Sequence, residues 1–449
     1  MTTTRKTCLV LLAFDAAAAI LAFNLLGIYR GVPQRFIVLP LLPPVLLLWF
    51  ATYLIEGYRA RTNMRSLDYM ALHILALLCA MLATLLLAYT FLPAGYEIRS
   101  SRAVIILGFV LLVPLTLGGR HLVGRRIAHL RRGRSLLFIG DLASQEDFRE
   151  ECLKMGVAQP VVYASPGPVA GSDSVLVFSD TLERIRSGRL LVEAIVLRES
   201  QRDIGPEGAQ ALMDLYFGGV PTYPLELFHQ VYWQKIPLYR LNPAWLFQQG
   251  FHLAREPVFE RLKRASDLAL AALGLILFSP VLALAAAAIR LEDRGPVFFR
   301  QTRVGRYRAP FRAVKLRTMR PGASQGDPYT RDGDARVTRV GRFLRRSRID
   351  EFPQLWNVLR GEMSLIGPRA EWDRLVAEYE RRIPCYSYRH LVKPGITGWA
   401  QVNFHYGASA EDTVRKLEYD LYYIRHFSFR LDATIVLRTV QIMVFGKGR

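Results

Sequence analysis

Hydrophobic positions in the first quarter of the chain come in unbroken runs rather than at strand spacing. The series opens with "CLVLLAFDAAAAILAFNLLGIY", at about 8–29, and similar runs follow at about 36–55, 69–92 and 103–119. Each approaches the roughly 20 apolar residues that cross a bilayer as a helix. Arg5 and Lys6 precede the first run as they would in a signal peptide. That run lacks a cleavage site, however, and more apolar runs follow at once. Four transmembrane helices are expected. Asp15 interrupts the first, either for function, to snorkel, or to face the other helices.

Basic residues orient this bundle. Arg59, Arg61 and Arg65 follow the second run, and Arg120, Arg125, Arg126, Arg131, Arg132 and Arg134 follow the fourth. The alternate loops hold only Arg30 with Arg35, and Arg99 with Arg102. By the positive-inside rule both ends of the bundle face the cytoplasm, and the chain beyond about 120 starts there.

From 135 the pattern changes to short apolar runs alternating with amphipathic stretches. "SLLFIG", "PVVYAS", "SVLVFS" and "LVEAIVLRE" read as buried strands, and "SQEDFREECLKMG" as a helix that Gly156 stops. This order suggests half of a Rossmann-like sheet. Dinucleotide binding asks for glycines after the first strand. That turn here is "FIGDLASQ", with Gly140 alone, so a degenerate scaffolding or regulatory domain is expected over 135–250.

A fifth apolar run, Lys263 to Gly295, carries Ser279-Pro280 at its centre and basic residues on both flanks. Proline removes a helical hydrogen bond and favours a kink. Were this run to cross, the basic stretch 300–350 would lie outside, against the charge rule. A helix that enters, bends at Pro280 and returns fits both facts; a kinked ordinary span is the plainer alternative.

The formal charge is +21, with half of the residues hydrophobic. Long uncharged stretches argue against a soluble nucleic-acid binder. The four cysteines lie far apart and the eight histidines are scattered, so neither a disulfide framework nor a zinc site is suggested.

Candidate chemistry concentrates in "RSRIDEFPQLWNVLRGEMSLIGPR", where Asp350-Glu351 sits among arginines. The structural reading makes Asp350 the N-cap of a helix, with Pro353 in its first turn and Gly361 as stop. Ser347 could cap instead, with Asp350 in a capping box. The functional reading uses the same residues. A helix N-terminus favours anions such as phosphate. Glu351 could hold Mg²⁺, Arg345 and Arg369 could clamp phosphate oxygens, and Asp350 could attack phosphorus. Upstream, Lys315 and Arg317 project from one side of "AVKLRTM" if it is extended.

Residues 258–449 resemble the bacterial sugar transferases, the monotopic polyprenyl-phosphate hexose-1-phosphate transferases. The stretches that carry the resemblance are "KRASDLALAALGLILFSP", "GPVFFRQTRVG", "KLRTM", "TRVGRFLRRSRIDEFPQLWNVLRGEMSLIGPR" and "VKPGITGWAQV". The four preceding runs and the soluble domain are similar to those of the larger members, which initiate exopolysaccharide or O-antigen assembly.

The resemblance implies that Asp350 is the nucleophile and Glu351 its metal-binding partner, with Mg²⁺ as cofactor. It places Arg345 near the phosphates, and Pro368-Arg369 at the nucleotide-sugar site. Lys315 and Arg317 become part of a basic substrate-binding element. Ser279-Pro280 becomes the break of a re-entrant helix, and Lys263 and Arg264 its lipid-headgroup contacts. Ala370 departs from the family's Pro-Arg-Pro and bears on the donor pocket; Phe352 replaces a common leucine.

The expected architecture is a mixed membrane protein. It has a four-helix transmembrane bundle (1–122), the Rossmann-like domain, a re-entrant membrane helix (258–295) and a small, mostly helical α+β catalytic domain (296–449). The expected activity moves hexose-1-phosphate from a UDP-sugar to undecaprenyl phosphate at the cytoplasmic face of the inner membrane. Nucleic acid is not an expected partner, and a homo-oligomer is compatible with the sequence. A membrane-anchored dehydratase would need a Tyr-x-x-x-Lys pair, and none of the twenty tyrosines has a lysine four residues later. A non-enzymatic scaffold for polysaccharide assembly is the other alternative.

Overall fold

The computed structural model describes the chain except at 1, 32–35, 60–61, 63, 65, 92, 94–100, 132, 158, 166–175, 199–200, 239–256, 323–333, 405–408 and 446–449. Arg35, Arg61, Arg65, Arg99 and Arg132 of the loop-charge argument therefore lie outside the described residues. The chain divides into two compact units, Met1–Gln234 and Lys235–Arg449.

The first unit opens with helices α1 (Thr2–Tyr29), α2 (Leu42–Leu54), α3 (Leu67–Thr90) and α4 (Arg102–Arg131). Three of these have stretches long and apolar enough to cross a membrane. The expected second span is shorter. Pro40 lies in a 3-10 turn, Leu39–Leu41, and Pro43 and Pro44 occupy the start of α2, so regular helix begins only at Leu42. Asp15 neither snorkels nor meets lipid. Its two carboxylate oxygens accept hydrogen bonds from Arg120 at 2.8 and 2.6 Å, and Tyr58 donates to Oδ2 at 2.7 Å. Arg120 Nε in turn reaches the Tyr69 hydroxyl. Asp15 and Arg120 are completely buried.

The same unit then forms a parallel sheet, β3-β2-β1-β4-β5, the first five strands of the Rossmann order. Its strands are β1 (Arg134–Ile139), β2 (Val161–Ser165), β3 (Leu176–Val177), β4 (Leu191–Leu197) and β5 (Thr222–Pro224). Helices α5 (Leu142–Lys154), α6 (Phe178–Arg186), α7 (Gln201–Phe217) and α8 (Leu225–Phe228) connect and follow them. The strand β5 was not anticipated: three residues ending in proline carry no readable alternation. Gly156 follows α5 with φ +64°, as its stop requires. At the other end of α5, the Asp141 carboxylate takes the Ser144 amide, and Gln145 Nε2 donates to the Gly140 and Ala164 carbonyls. The chain's own acid thus sits where a pyrophosphate would.

The second unit begins before 250. Ile236 is buried in its core and donates its amide to the Glu418 carbonyl. The remainder of the expected boundary, 239–250, lies outside the described residues. Its first helix, α9 (Pro257–Asp293), holds Pro280 inside it. At about 1.5 Å per residue a straight helix of this length would run about 55 Å. Yet both limbs pack on one domain. Ala271 and Leu275, before the proline, join Phe311, Leu355 and Val358. Leu282, Ala285 and Ile289, after it, join Leu316 and Leu344. Ile276 and Leu277, close to the proline, stay exposed. This is a re-entrant arrangement, as the flanking charges predicted.

An antiparallel hairpin follows, β6 (Phe298–Val304) with β7 (Pro310–Leu316), then α10 (Arg339–Arg346) and α11 (Gln354–Arg360). Strands β8 (Ser364–Ile366) and β9 (Gly395–Thr397) pair in parallel. Helices α12 (Asp373–Arg382), α13 (Trp399–Asn403), α14 (Ala410–Arg425) and α15 (Phe429–Phe445) complete the unit. Trp399, Tyr386, Tyr423 and Ile435 lie in its main core. The C-terminal helix therefore packs inward through Ile435, while Val436, Met443 and Val444 leave an exposed apolar face.

Candidate active site

The hairpin supplies the first cation. Alternation along β7 buries Phe311 and Ala313 and leaves Lys315 between core and cleft. Asn357 on α11 fixes this strand: its Oδ1 accepts from Val314 N at 3.1 Å, and its Nδ2 donates to Arg312 O at 2.8 Å. The strand then delivers Lys315 Nζ to Glu351 Oε1 at 2.7 Å.

Asp350-Glu351 arrives through a tight connection. Thr338 caps α10, and the helix lies directly against the backbone of Thr318. A Cβ on Gly341 would stand 2.1 Å from the Thr318 carbonyl oxygen, so glycine is required there. That approach brings Arg345 Nε to Thr318 Oγ1 at 2.8 Å. Arg348 then takes φ +54°, turning the chain into a 3-10 turn at Ile349–Glu351. This differs from the expected cap: Asp350 lies inside the turn, and Pro353 is the N-cap of α11. The chain leaves Arg348 as a 3-10 turn, and regular α-helix begins only at Gln354. Gly361 does end α11, at φ +86°.

The third side comes from the β8–β9 pair. Pro368 O accepts from Gly395 N at 2.9 Å, which seats Arg369 so that its guanidinium donates to Glu351 Oε1 at 3.0 Å. Behind it, buried Arg389 donates to the Arg369 carbonyl at 3.0 Å, to Asp420 Oδ2 at 2.8 Å and to the Tyr386 hydroxyl at 2.6 Å. Arg303 of β6 donates to the carbonyl of Ala370.

Both dyad carboxylates are buried, Asp350 at 8% and Glu351 at 7% exposure, yet their surroundings shift them in opposite directions. Burial opposes ionisation of Glu351, but Lys315, Arg369 and Arg348 outweigh it and hold this carboxyl well below its usual range. Burial, and then repulsion from Glu351, pushes the Asp350 carboxyl up to about 6, against the pull of Lys315, Arg345 and Arg369. Burial also lowers Lys315 to about 8, with Glu351 opposing and Arg369 and Arg303 assisting. The Asp350 carboxylate has no hydrogen-bond partner among the described residues. An unbonded carboxylate among cations has the chemistry of a group that can attack an electrophilic centre.

Of the expected substrate groups, Lys315, Arg345 and Arg369 surround the dyad and Pro368 supports Arg369. Arg317 is not brought there; it is buried and paired with Asp293 at the end of α9. Lys263 is likewise committed, to Asp432, and Arg264 donates to the Val358 and Leu359 carbonyls that end α11. Ser279 Oγ donates to Ile276 O, just before Pro280. Sequence reasoning did not single out Asn357, Arg389, Asp420 or Arg303. A polar Asn within "QLWNVL" is the one visible signal among them.

Among the described residues no cluster of three or more His, Cys, Asp or Glu could hold a metal. Glu351 Oε1 is taken by Lys315 and Arg369, and Arg348 stands 3.8 Å from Oε2. Oε2 and the Asp350 carboxylate are hard oxygen donors. They fit Mg²⁺, which often takes one or two carboxylates and completes its shell with water and phosphate.

Comparison with known proteins shows what the chain is similar to. The bacterial sugar transferase family profile matches residues 258–446. A UDP-N-acetylgalactosamine-undecaprenyl-phosphate N-acetylgalactosaminephosphotransferase of Aeromonas hydrophila is 39% identical over 60% of this chain and 62% of its own length. UDP-glucose:undecaprenyl-phosphate glucose-1-phosphate transferases are also similar. The Escherichia coli strain K12 protein is 46% identical over 40% of this chain and 39% of its own. The Caulobacter vibrioides protein is 49% identical over 40% of this chain and 68% of its own. The chain belongs to the bacterial sugar transferase family. It spans less than two thirds of the first two relatives' own lengths. With its long apolar helices, it is a multi-pass protein of the bacterial inner membrane.

Proposed function

We propose that this enzyme transfers hexose-1-phosphate from a UDP-hexose to undecaprenyl phosphate, releasing UMP, as the initiating step of an extracellular glycan. The observation that carries the reading is the dyad: an ionised Glu351 held by Lys315 and Arg369, beside an Asp350 with no hydrogen-bond donor among the described residues. An Asp350 oxygen attacks the β-phosphorus of the donor, forming a phosphosugar-aspartate bond as the bond from that phosphorus to the bridging oxygen breaks. UMP departs with that oxygen. An oxygen of undecaprenyl phosphate then attacks the same phosphorus, the aspartyl–phosphorus bond breaks, and the Asp350 carboxylate is restored.

Arg345 and Arg369 orient the phosphate oxygens, and Lys315 keeps Glu351 ionised. Glu351 and Asp350 would hold Mg²⁺, which offsets the phosphate charge that repels a carboxylate. The re-entrant helix places this chemistry at the bilayer surface, where a soluble donor and a lipid acceptor meet. The names of the relatives support UDP-linked glucose and N-acetylgalactosamine as donors to test first.

The test is UMP release from a panel of UDP-sugars by purified full-length protein with Mg²⁺ and undecaprenyl phosphate. UMP from one sugar, abolished in a folded Asp350→Asn variant, is the expected result. Turnover that survives this substitution would remove Asp350 as nucleophile; no UMP from any UDP-sugar would overturn the donor class.

A further inference from the structure

A second cationic site lies apart from the dyad, and no dyad residue lines it. Beside the first limb of α9, a cavity of about 390 Å³ is bounded by Arg261, Arg264, Arg306 and Lys393, over a floor that includes Ile366 and Val392. Some of its charge is internally matched. Arg306 pairs with Glu260 and Lys263 with Asp432. Arg264 spends its donors on the carbonyls at the end of α11.

Lys393 is different. It has no hydrogen-bond or ion-pair partner among the described residues, and it converges with Arg264 on Gly361. A Cβ built on that glycine would lie 3.3 Å from the Arg264 guanidinium and 3.7 Å from the Lys393 ammonium. Burial, then repulsion from Arg264 and Arg306, lowers the Lys393 pKa against the pull of Asp267 and Glu260. Five cations (Arg261, Lys263, Arg264, Arg306 and Lys393) line the cavity against two carboxylates, Glu260 and Asp267, an excess that a further anion would offset.

The surroundings say which anion. Val258 and Leu262, four residues apart on α9, are exposed beside the cavity, as is Phe429. Phe259 packs against both Phe427, which lines the cavity, and Phe429. Concave cations beside exposed apolar side chains, on a helix about to enter the bilayer, match a headgroup with its chains attached.

We propose that this cavity binds the phosphate of an anionic membrane phospholipid, with Lys393 and Arg261, neither paired among the described residues, as its cations and the acyl chains running along Val258, Leu262 and Phe429. The site anchors the entry point of the re-entrant helix. This headgroup role differs from the one expected for Lys263 and Arg264, whose polar atoms are engaged inside the domain.

Native mass spectrometry of the delipidated full-length protein tests this without reference to turnover. The probes are dioleoyl phosphatidylglycerol, dioleoyl phosphatidylcholine and inorganic phosphate, against wild type, Lys393→Gln and Arg261→Gln. Expected is tightest binding of phosphatidylglycerol, weakened roughly fivefold by each loss of a basic residue near the headgroup. The unfolding midpoint of Lys393→Gln without lipid should equal or exceed that of wild type, since a repelled cation has been removed; a purely structural lysine would lower it. Phosphatidylglycerol binding unchanged in both variants overturns the site. Equal affinity for phosphatidylcholine overturns the anionic preference. Inorganic phosphate bound as tightly as the lipid would reassign the cavity to a free phosphate.

Discussion

At the scale of single residues, the dyad's asymmetry has a kinetic signature. Asp350 attacks only when ionised, and its carboxyl is raised to about 6, so kcat/KM should fall as pH drops through about 6. Lys315 serves only when protonated. Its pKa is lowered to about 8, so above about 8 it loses its charge and its hold on Glu351 weakens. The expected profile is a bell whose limbs belong to the coupled cluster rather than to isolated groups. Lys315→Arg keeps a cation at every accessible pH and should remove the alkaline limb while leaving the acidic one. Measuring kcat/KM against pH for both proteins checks the assignment. An alkaline limb that persists in Lys315→Arg would give that ionisation to another group.

At the scale of elements, the site depends on how closely α10 approaches Thr318. A methyl group at Gly341 would meet the Thr318 carbonyl at 2.1 Å, and backbone on both sides must yield. Overpacking of this kind costs about 1–3 kcal/mol. Because Arg345 and Thr318 share a hydrogen bond across the contact, Gly341→Ala should lower both the unfolding midpoint and UMP release. Gly118→Ala is the control, since a Cβ there meets nothing within 4 Å. Equal midpoints and activities for the two variants would show that the approach is not needed. This contact also marks what the sequence could tell. Asp350, Glu351, Arg345 and Arg369 fall within one string, and their shared chemistry is visible without a fold. Asn357 and Arg389 act through partners 43 and 31 residues away, Val314 and Asp420, and such pairings exist only once the chain has folded. The partners of Lys263 and Arg317 were hidden for the same reason: a basic residue near a membrane or a phosphate looks unattached until Asp432 or Asp293 is seen beside it.

At the scale of the whole molecule, hydrophobic runs and loop charges were enough to foresee an N-terminal bundle, an α/β domain and a helix that returns to its own side. They could not say what the bundle does with Asp15. That residue, Arg120, Tyr58 and Tyr69 join α1, the turn after α2, α3 and α4 in one buried network. Ionisable groups inside a membrane bundle are expensive unless paired, and here each answers the other. Removing one partner leaves an uncompensated charge, at a cost of about 3–5 kcal/mol in buried pairs, whereas replacing both with apolar residues is often nearly neutral. Asp15→Leu should therefore lower the unfolding midpoint of the full-length protein in detergent sharply. Asp15→Leu combined with Arg120→Met should recover most of that loss. The dyad and its cations all belong to the second unit, so UMP release per folded molecule should change little in either variant. A double variant as unstable as the single one would mean that Asp15 and Arg120 stabilise the bundle through their other contacts rather than through each other.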